Sequence, residues 1–387
     1  MAYSANTKLP QYSDFEDCGL YIGNTGKLLM SPGKKLKNVY ELLYTNENLC
    51  HSQMTAQIGK GDKYEIQRFN ENIHDNLFAL WEMLAEETYQ PGQYKERTIY
   101  EPKERVLLIA PFFPDRIIHH CIINVLAPHW THLFIENTYS CIKGRGIHKC
   151  RIDVGHALKR DKKGTRYCLK TDIRKFYDNV HHDSLKRVLR HTIADERLLR
   201  LLDKIIDSNG KEIGLPIGNF TSQYFANVYL AYFDHWVKEE LGTLVKERFG
   251  TRLYYFRYMD DMVFLCGSKE ALFYVLDMAG LYLAAELKVE FKDNWQVFPT
   301  DVRSIDFVGY KQNHYNVLLR KSILKRLYHK SLKVGKDNPI KDENDIKHLF
   351  SSEYGWVIGC SEQHKNQIFN TLINNGSKCF NNRAAVN

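Results

Sequence analysis

Residues 254–266 read YYFRYMDDMVFLC, and the fold turns on why two adjacent carboxylates, Asp260 and Asp261, interrupt an otherwise aromatic and apolar run. Strands are predicted over residues 253–257 and 262–266, joined by a tight turn. Aspartate is common in hairpin turns, because its short side chain bonds the local backbone and tolerates unusual φ. A plain turn therefore accounts for the pair by itself. A third carboxylate changes the balance. Asp172 ends another apolar segment, YCLKTDI at 167–173, and Phe176 and Tyr177 follow it. Carboxylates at adjoining strand ends and at a hairpin tip can converge on one sheet edge, where alone they would repel and one would protonate. Two divalent cations relieve that repulsion; hard oxygen ligands suit magnesium, with manganese the alternative. Such a metal pair activates an attacking hydroxyl and steadies a leaving pyrophosphate, so the triad points to nucleotidyl transfer.

The rest of the composition fits a large globular enzyme. The 387 residues are 44% hydrophobic and 26% charged, which excludes wholesale disorder, and 54 basic against 46 acidic residues leave a formal charge of +8. That excess favours a polyanionic partner only where the cations cluster. Nine scattered cysteines without a CxxC pair suggest reduced thiols and a cytoplasmic setting rather than a disulfide framework. Cys141, His148 and Cys150 lie close in sequence but lack a fourth zinc ligand, and are read as structural. The apolar run at 106–113 contains a proline and is too short to span a bilayer, and the N-terminus shows no signal-peptide pattern, so no membrane association is expected.

Along the chain, residues 1–36 are polar and glycine-bearing, and read as an arm with little core. Ile66, Phe69, Ile73, Leu77, Leu80 and Leu84 form one helical stripe that ends before Pro91-Gly92. Short strands bearing Arg97, Lys103 and Arg105 follow, then a helix from Asp115 to about Leu126 with Ile118, Cys121, Ile122 and Val125 on one face. Asp183 or Ser184 starts a further helix carrying Leu185, Val188 and Leu189. The turn GLPIG at 214–218 leads into a long helix with Phe225, Tyr229, Tyr232, Trp236 and Glu240 on one side. Strand, loop, helix and hairpin in this order describe an α+β fold rather than a doubly wound parallel sheet.

LKTDIRKFYDNV around Asp172, LPIGNFTSQYFANVYL after residue 214 and YMDD at 258–261 resemble, in order, the motifs of reverse transcriptases. APFFPDRIIHHCIINVLAP and FIENTYSCIKGRGIHK upstream and IDFVGYK downstream extend the resemblance over about residues 60–325. It is greatest to bacterial enzymes of the diversity-generating retroelement type, within the group II intron-like and retron-like superfamily. The resemblance implies a right-hand polymerase: a lead-in over 1–59, fingers and palm over 60–312, and a helical thumb over 313–387. It implies that Asp172 and Asp260 ligand two metal ions, with Asp261 beside them and the Ile173 carbonyl assisting. Tyr177 matches the aromatic gate that excludes a 2′-hydroxyl, and Arg105 matches the fingers arginine over the incoming triphosphate. Arg116 joins it as a nucleotide contact, although the spacing from Arg105 is one residue longer than in the family, and a surface ion pair is the alternative. Ile217 and Gly218 lie in the turn beside the nucleotide, and Ile217 stands where retroviral enzymes carry glutamine. Ser222-Gln223 is a further mark of the diversity-generating type, and Gln223 is a candidate nucleotide contact. Tyr258 and Met259 would meet the primer.

Seven lysines and arginines without an acid occupy 320–336, at near-helical spacing. A solvated helix face explains most such runs; its place after the catalytic hairpin matches the thumb, with Lys325 and Arg326 gripping backbone phosphates. Lys292 and Lys288 are both candidates to protonate the leaving pyrophosphate. The implied partners are an RNA template, a DNA or RNA primer and dNTPs. A template-repeat or other non-coding RNA and a small basic accessory protein would join them. The role implied is low-fidelity copying in a diversity-generating element; antiphage defence from a non-coding RNA is the alternative, and a catalytically silent RNA-binding protein is the remote one. The final sixty residues show nothing resembling an RNase H, endonuclease or zinc-bearing maturase module.

Overall fold

The structure, a computed structural model, describes residues 35–100, 104–335, 338 and 340–384, with side chains described to residue 376. Residues 1–34 of the predicted arm, Lys103 and Lys336 lie outside the described residues. The chain divides into two compact units that are each discontinuous in sequence.

One unit comprises the described residues up to Ile135 with Arg174–Asp234 and Tyr282–Val289. Its strands β1 (Lys95–Ile99) and β2 (Arg105–Ile109) pair antiparallel, Thr98 opposite Val106. The predicted apolar stripe forms, and Ile66, Phe69, Leu77, Leu80 and Leu84 are buried, but as two helices, Tyr64–Glu71 and Ile73–Ala85. Asn72 breaks them at φ −128°, ψ 49°, and Asn76 Nδ2 caps the freed Phe69 carbonyl at 3.0 Å. The next helix, Ile117–Leu133, runs further than the spacing predicts and buries Ile118, Cys121, Ile122 and Leu126. Helix His182–Thr192 buries Leu185, Val188 and Leu189, as its spacing requires. The long helix expected after residue 218 is segmented, Phe220–Tyr229 and then Ala231–Trp236.

The other unit comprises Glu136–Ile173, His235–Leu281 and the described residues from Glu290 onward. Its centre is an antiparallel sheet of order β4-β5-β3-β6: Tyr254–Tyr258, Asp261–Cys266, Tyr167–Asp172 and Gln296–Pro299. Alternation puts Cys168, Phe256, Val263, Leu265 and Phe298 on one face, and helix Ile147–Arg160 covers them with Cys150, Val154 and Leu158. Each large side chain so buried contributes about 1.5–3 kcal/mol. A small meander follows, β7 (Ile305–Phe307), β8 (Tyr310–Gln312) and β9 (Val317–Leu319). Its Tyr310 and Leu319 join Leu327, Ile346, Phe350 and Leu372 in a second core, built with the helices Lys321–Val334, Glu343–Leu349, Ser351–Val357 and Glu362–Ala384.

Cys150 lies in the sheet core and His148 sits edge-on to Trp356. Cys121, Cys141, Cys150, Cys168, Cys266 and Cys360 are free thiols, whereas Cys50 is disulfide-bonded; scattered spacing does not prevent a fold from pairing one cysteine. Among the described residues no helix is long and apolar enough to cross a membrane.

Candidate active site

The hairpin β4–β5 forms where its sequence predicts, with a sharper boundary. Tyr258 pairs with Asp261, so the turn is Met259-Asp260 alone and Asp261 is the first residue of β5. Met259 takes φ 55°, a left-handed conformation rare for a residue with a Cβ. The fully buried guanidinium of Arg257 holds the turn, donating from Nη1 to the Met259 carbonyl at 3.0 Å. An arginine inside YYFRY is a structural residue that the hydrophobic pattern hides.

Register then sets the carboxylates. β3 pairs with β5 so that Asp172 lies directly opposite Asp261, with Asp260 one residue away in the turn. Two carboxylates at such a cross-strand position stand a few ångströms apart at Cβ, and like charges there repel. Two lysines offset the repulsion. Lys170, two residues before Asp172 and therefore on the same face, reaches Asp261 with Nζ at 3.0 and 3.2 Å from its two oxygens. Lys292 Nζ bonds Asp172 Oδ2 at 2.5 Å, and its backbone N–H donates to the Asp172 carbonyl at 2.9 Å. Burial nevertheless pushes Asp261 up to about 6, with Lys170 opposing and Asp260 and Asp172 reinforcing the rise. Ile173 is fully buried and bridges antiparallel to Phe291, which fixes the strand end. Lys292, one of the two candidate lysines, is thus at these carboxylates.

The unit bearing β1 and β2 carries the predicted nucleotide residues, and backbone bonds tie two of their segments to the 214–218 turn. Leu215 N–H donates to the Tyr177 carbonyl at 2.7 Å, and Leu108 N–H of β2 donates to the Ile217 carbonyl at 2.9 Å. The turn thus ties the Tyr177 segment to the strand that starts at Arg105. Gly218 has φ 127°, and a Cβ there would stand 2.9 Å from the Leu108 carbonyl, so this close approach admits only glycine. Tyr177 and Ile217 are half-buried, while Arg105, Gly218 and Gln223 are exposed. Arg116 turns inward instead: Nε donates to the Ala110 carbonyl at 3.0 Å and Nη1 lies 3.9 Å from Glu65. Sequence reasoning missed two buried anchors here. His182 spans Asp207, 3.1 Å from Nδ1, and the Gly214 carbonyl, 2.8 Å from Nε2. Asp115 accepts from the Tyr89 hydroxyl at 2.8 Å and the Gly92 N–H at 3.0 Å, and burial raises its pKa.

In the second core, helix Lys321–Val334 turns Leu327 and Ser331 inward and leaves Lys325 and Arg326 exposed. Lys330 pairs with Glu353 at 2.9 Å and Arg320 with Asp306 at 2.6 Å, so these two cations of the basic run serve the fold.

Residues 96–311 match the family model "Reverse transcriptase (RNA-dependent DNA polymerase)". The chain belongs to the reverse transcriptase family. With that membership comes the right-hand polymerase fold, and the hairpin bearing Asp260 and Asp261 is this reverse transcriptase's YMDD turn. Over 231 residues the chain is 24% identical to protein YkfC of Escherichia coli, spanning 54% of this chain and 59% of YkfC. It is 22% identical over 208 residues to the group II intron-encoded protein LtrA of Lactococcus lactis, spanning 51% of this chain and 32% of LtrA. The chain thus spans well under two thirds of either curated relative. Among solved structures it is similar to telomerase from Candida albicans, at 12% identity and TM-score 0.47, over 77% of this chain and 62% of that one.

Reverse transcriptases use divalent metal ions, and the donor set here fits such ions. Asp172 Oδ1 is buried without a hydrogen-bond partner among the described residues, and Asp261 and Asp172 present hard oxygens to the Lys170 and Lys292 ammoniums. Among the described residues no three His, Cys, Asp or Glu side chains form a ready-made metal cage. Magnesium seldom asks for one, since it is commonly held by one or two carboxylates together with substrate phosphates.

Proposed function

We propose that this chain is an RNA-directed DNA polymerase that extends a primer along an RNA template. The observation that carries the proposal is the β3–β5 register, which sets Asp172 opposite Asp261 with Asp260 in the adjoining turn. When bound at Asp172, Asp260 and Asp261, magnesium ions supply charge stabilisation and an activated primer hydroxyl, the chemistry of phosphoryl and nucleotidyl transfer. The chain's own residues do the rest. Lys170 and Lys292 hold Asp261 and Asp172 in place before substrate arrives. Lys292, already at the site, is the stronger candidate proton donor to the leaving pyrophosphate. The Tyr177 ring selects deoxynucleotides by excluding a 2′-hydroxyl, and Arg105, with no ion-pair partner among the described residues, meets the triphosphate.

The chain's segments take the corresponding roles: fingers and palm over 60–312, thumb from 313, with Lys325 and Arg326 on the phosphates of the primer–template duplex. Ile217 and Ser222-Gln223 favour the diversity-generating type, in which copying has relaxed fidelity. The test is primer extension with an RNA template, dNTPs and magnesium. Wild type should extend the primer, and Asp260→Asn should lose activity by on the order of a thousandfold or more. Equal extension by both would remove the carboxylates from the chemistry.

A further inference from the structure

A second cationic site lies in the sheet-bearing unit, at the end of β4 away from the YMDD turn. It is a cleft of about 920 Å³ between helix Ile147–Arg160, the edge strand β4 and the segment around Gly242–Phe249. From Tyr254, in the cleft, to Tyr258, at the turn, the strand covers roughly 13 Å. Six cations line it: Arg145, Lys149, Arg160, Lys238, Lys246 and Arg252. Three carboxylates share the walls, and two of them are engaged. Asp153 holds Lys149 at 2.6 Å and accepts from the Tyr139 hydroxyl at 2.9 Å; Asp161 accepts from the Tyr254 hydroxyl at 3.0 Å and the Gly164 N–H at 2.8 Å. Glu136 remains at the rim.

Three of the cations are exposed and in no ion pair among the described residues: Arg160, Lys246 and Arg252. Lys149, Asp153, His156 and Arg160 follow at intervals that put them on one helix face, which lines the cleft over roughly 16 Å and ends at the exposed Arg160. Arg252 lies over the Tyr254 ring, 4.8 Å from its centroid, and that ring is half-buried. Exposed guanidinium forks beside an aromatic ring, along an elongated groove of positive sign, suit a chain of phosphates carrying bases. An acidic protein segment would use the forked donors equally well but would leave the ring without a stacking partner.

We propose that this cleft binds single-stranded RNA by its backbone, as an anchor for RNA outside the duplex held at the YMDD turn. The proposal deepens the polymerase reading and rests on it for the identity of the nucleic acid. The test compares wild type with Arg160→Glu/Lys246→Glu/Arg252→Glu, full chain in each case, by fluorescence anisotropy with a labelled oligouridylate across a salt series. Primer extension on a short pre-annealed primer–template is measured on the same preparations.

Affinity for the oligouridylate should fall about tenfold or more near physiological salt, and the salt slope should shrink by about 2, with extension of the short duplex kept. Unchanged affinity and slope would overturn the proposal. So would a triple variant that keeps RNA binding while losing the binding of polyglutamate shown by wild type, which would assign the cleft to an acidic protein partner. If the triple variant fails to fold, ultraviolet cross-linking of the oligouridylate to wild type decides. Cross-links at the Tyr254 peptide support the anchor, and cross-links confined to other peptides overturn it. A wild type that binds through the cleft but extends no primer would sink the polymerase reading and leave the cleft standing.

Discussion

The Met259-Asp260 turn of one unit and the 214–218 turn of the other are both short and both tightly held, yet they are built by different means. The first is held by charge. Arg257 fixes the Met259 carbonyl, and Lys170 and Lys292 restrain Asp261 and Asp172. The second is held mostly by main chain and by the lack of a side chain, with the His182 ring and the Asn209 amide on its Gly214 carbonyl. Its hydrogen bonds to Tyr177 and Leu108 are backbone to backbone, and Gly218 leaves room for the Leu108 carbonyl. A charged turn tolerates changes of shape better than changes of charge, whereas a turn of close backbone contacts does the reverse. The thousandfold loss expected of Asp260→Asn, an almost isosteric change, is the largest break this comparison predicts, and it should leave the melting temperature nearly unmoved.

Gly218→Ala should behave in the opposite way. A Cβ 2.9 Å from the Leu108 carbonyl, on a backbone at φ 127°, must displace β2 or the turn. The expected cost is about 2–3 kcal/mol of stability, measured by urea denaturation. An alanine variant as stable as wild type would show that the two turns do not differ in this way.

The glycine-bearing unit also answers to acid. His119 is fully buried and held down to about 3, and His120 to about 4, each by burial first and then by neighbouring positive groups. Both are neutral in the folded chain, while the unfolded chain's histidines take up protons below about pH 6.5. Their contribution is therefore complete above that pH and is lost as pH falls toward 4 and then 3, at about 1.4 kcal/mol per pH unit for each. His119→Leu should flatten the fall in stability between pH 6.5 and 5 by about that slope. An unchanged slope would mean that His119 is protonated in the folded chain.

A third region sharpens the contrast between charge that holds the fold and charge left open to a ligand. Lys330 and Arg320 are paired, whereas Lys325 and Arg326 on the same helix are exposed. Lys325→Glu/Arg326→Glu should weaken primer–template binding about tenfold at low salt and less at high salt, with a slope smaller by about 2. Parallel salt plots for variant and parent would confine the helix to a structural role.

What could be read from residues alone follows the same division. Asp172, Asp260 and Asp261 stand out because charge inside apolar strands demands a reason, and the hairpin and the α+β order come from period and turn chemistry. Lys170 and Lys292 could not be read as partners of Asp261 and Asp172, because pairing depends on a strand register and on a return of the chain 120 residues later. Arg257, His182 and Asp115 are hidden for a related reason: each is a polar residue whose buried partners lie on other elements. Asn72 hides a helix break inside an unbroken apolar stripe, since period reports the buried face and not the path of the backbone.

Ile217 tests the smaller end of the comparison. Its carbonyl belongs to the backbone scaffold, accepting from Leu108, while its side chain is half-buried and free to vary without altering that bond. Scaffold and selectivity are thus separable at one residue. Ile217→Gln keeps the main-chain bond, adds an amide able to hydrogen-bond the incoming nucleotide, and should not change stability by more than about 1 kcal/mol. If the aliphatic side chain relaxes base choice, the glutamine variant should misincorporate a few-fold less opposite template adenines, because one hydrogen bond contributes on the order of 1 kcal/mol. Sequencing cDNA made by both enzymes on one RNA template reads this directly. An identical error spectrum would place base choice elsewhere and leave Ile217 as part of the backbone scaffold alone.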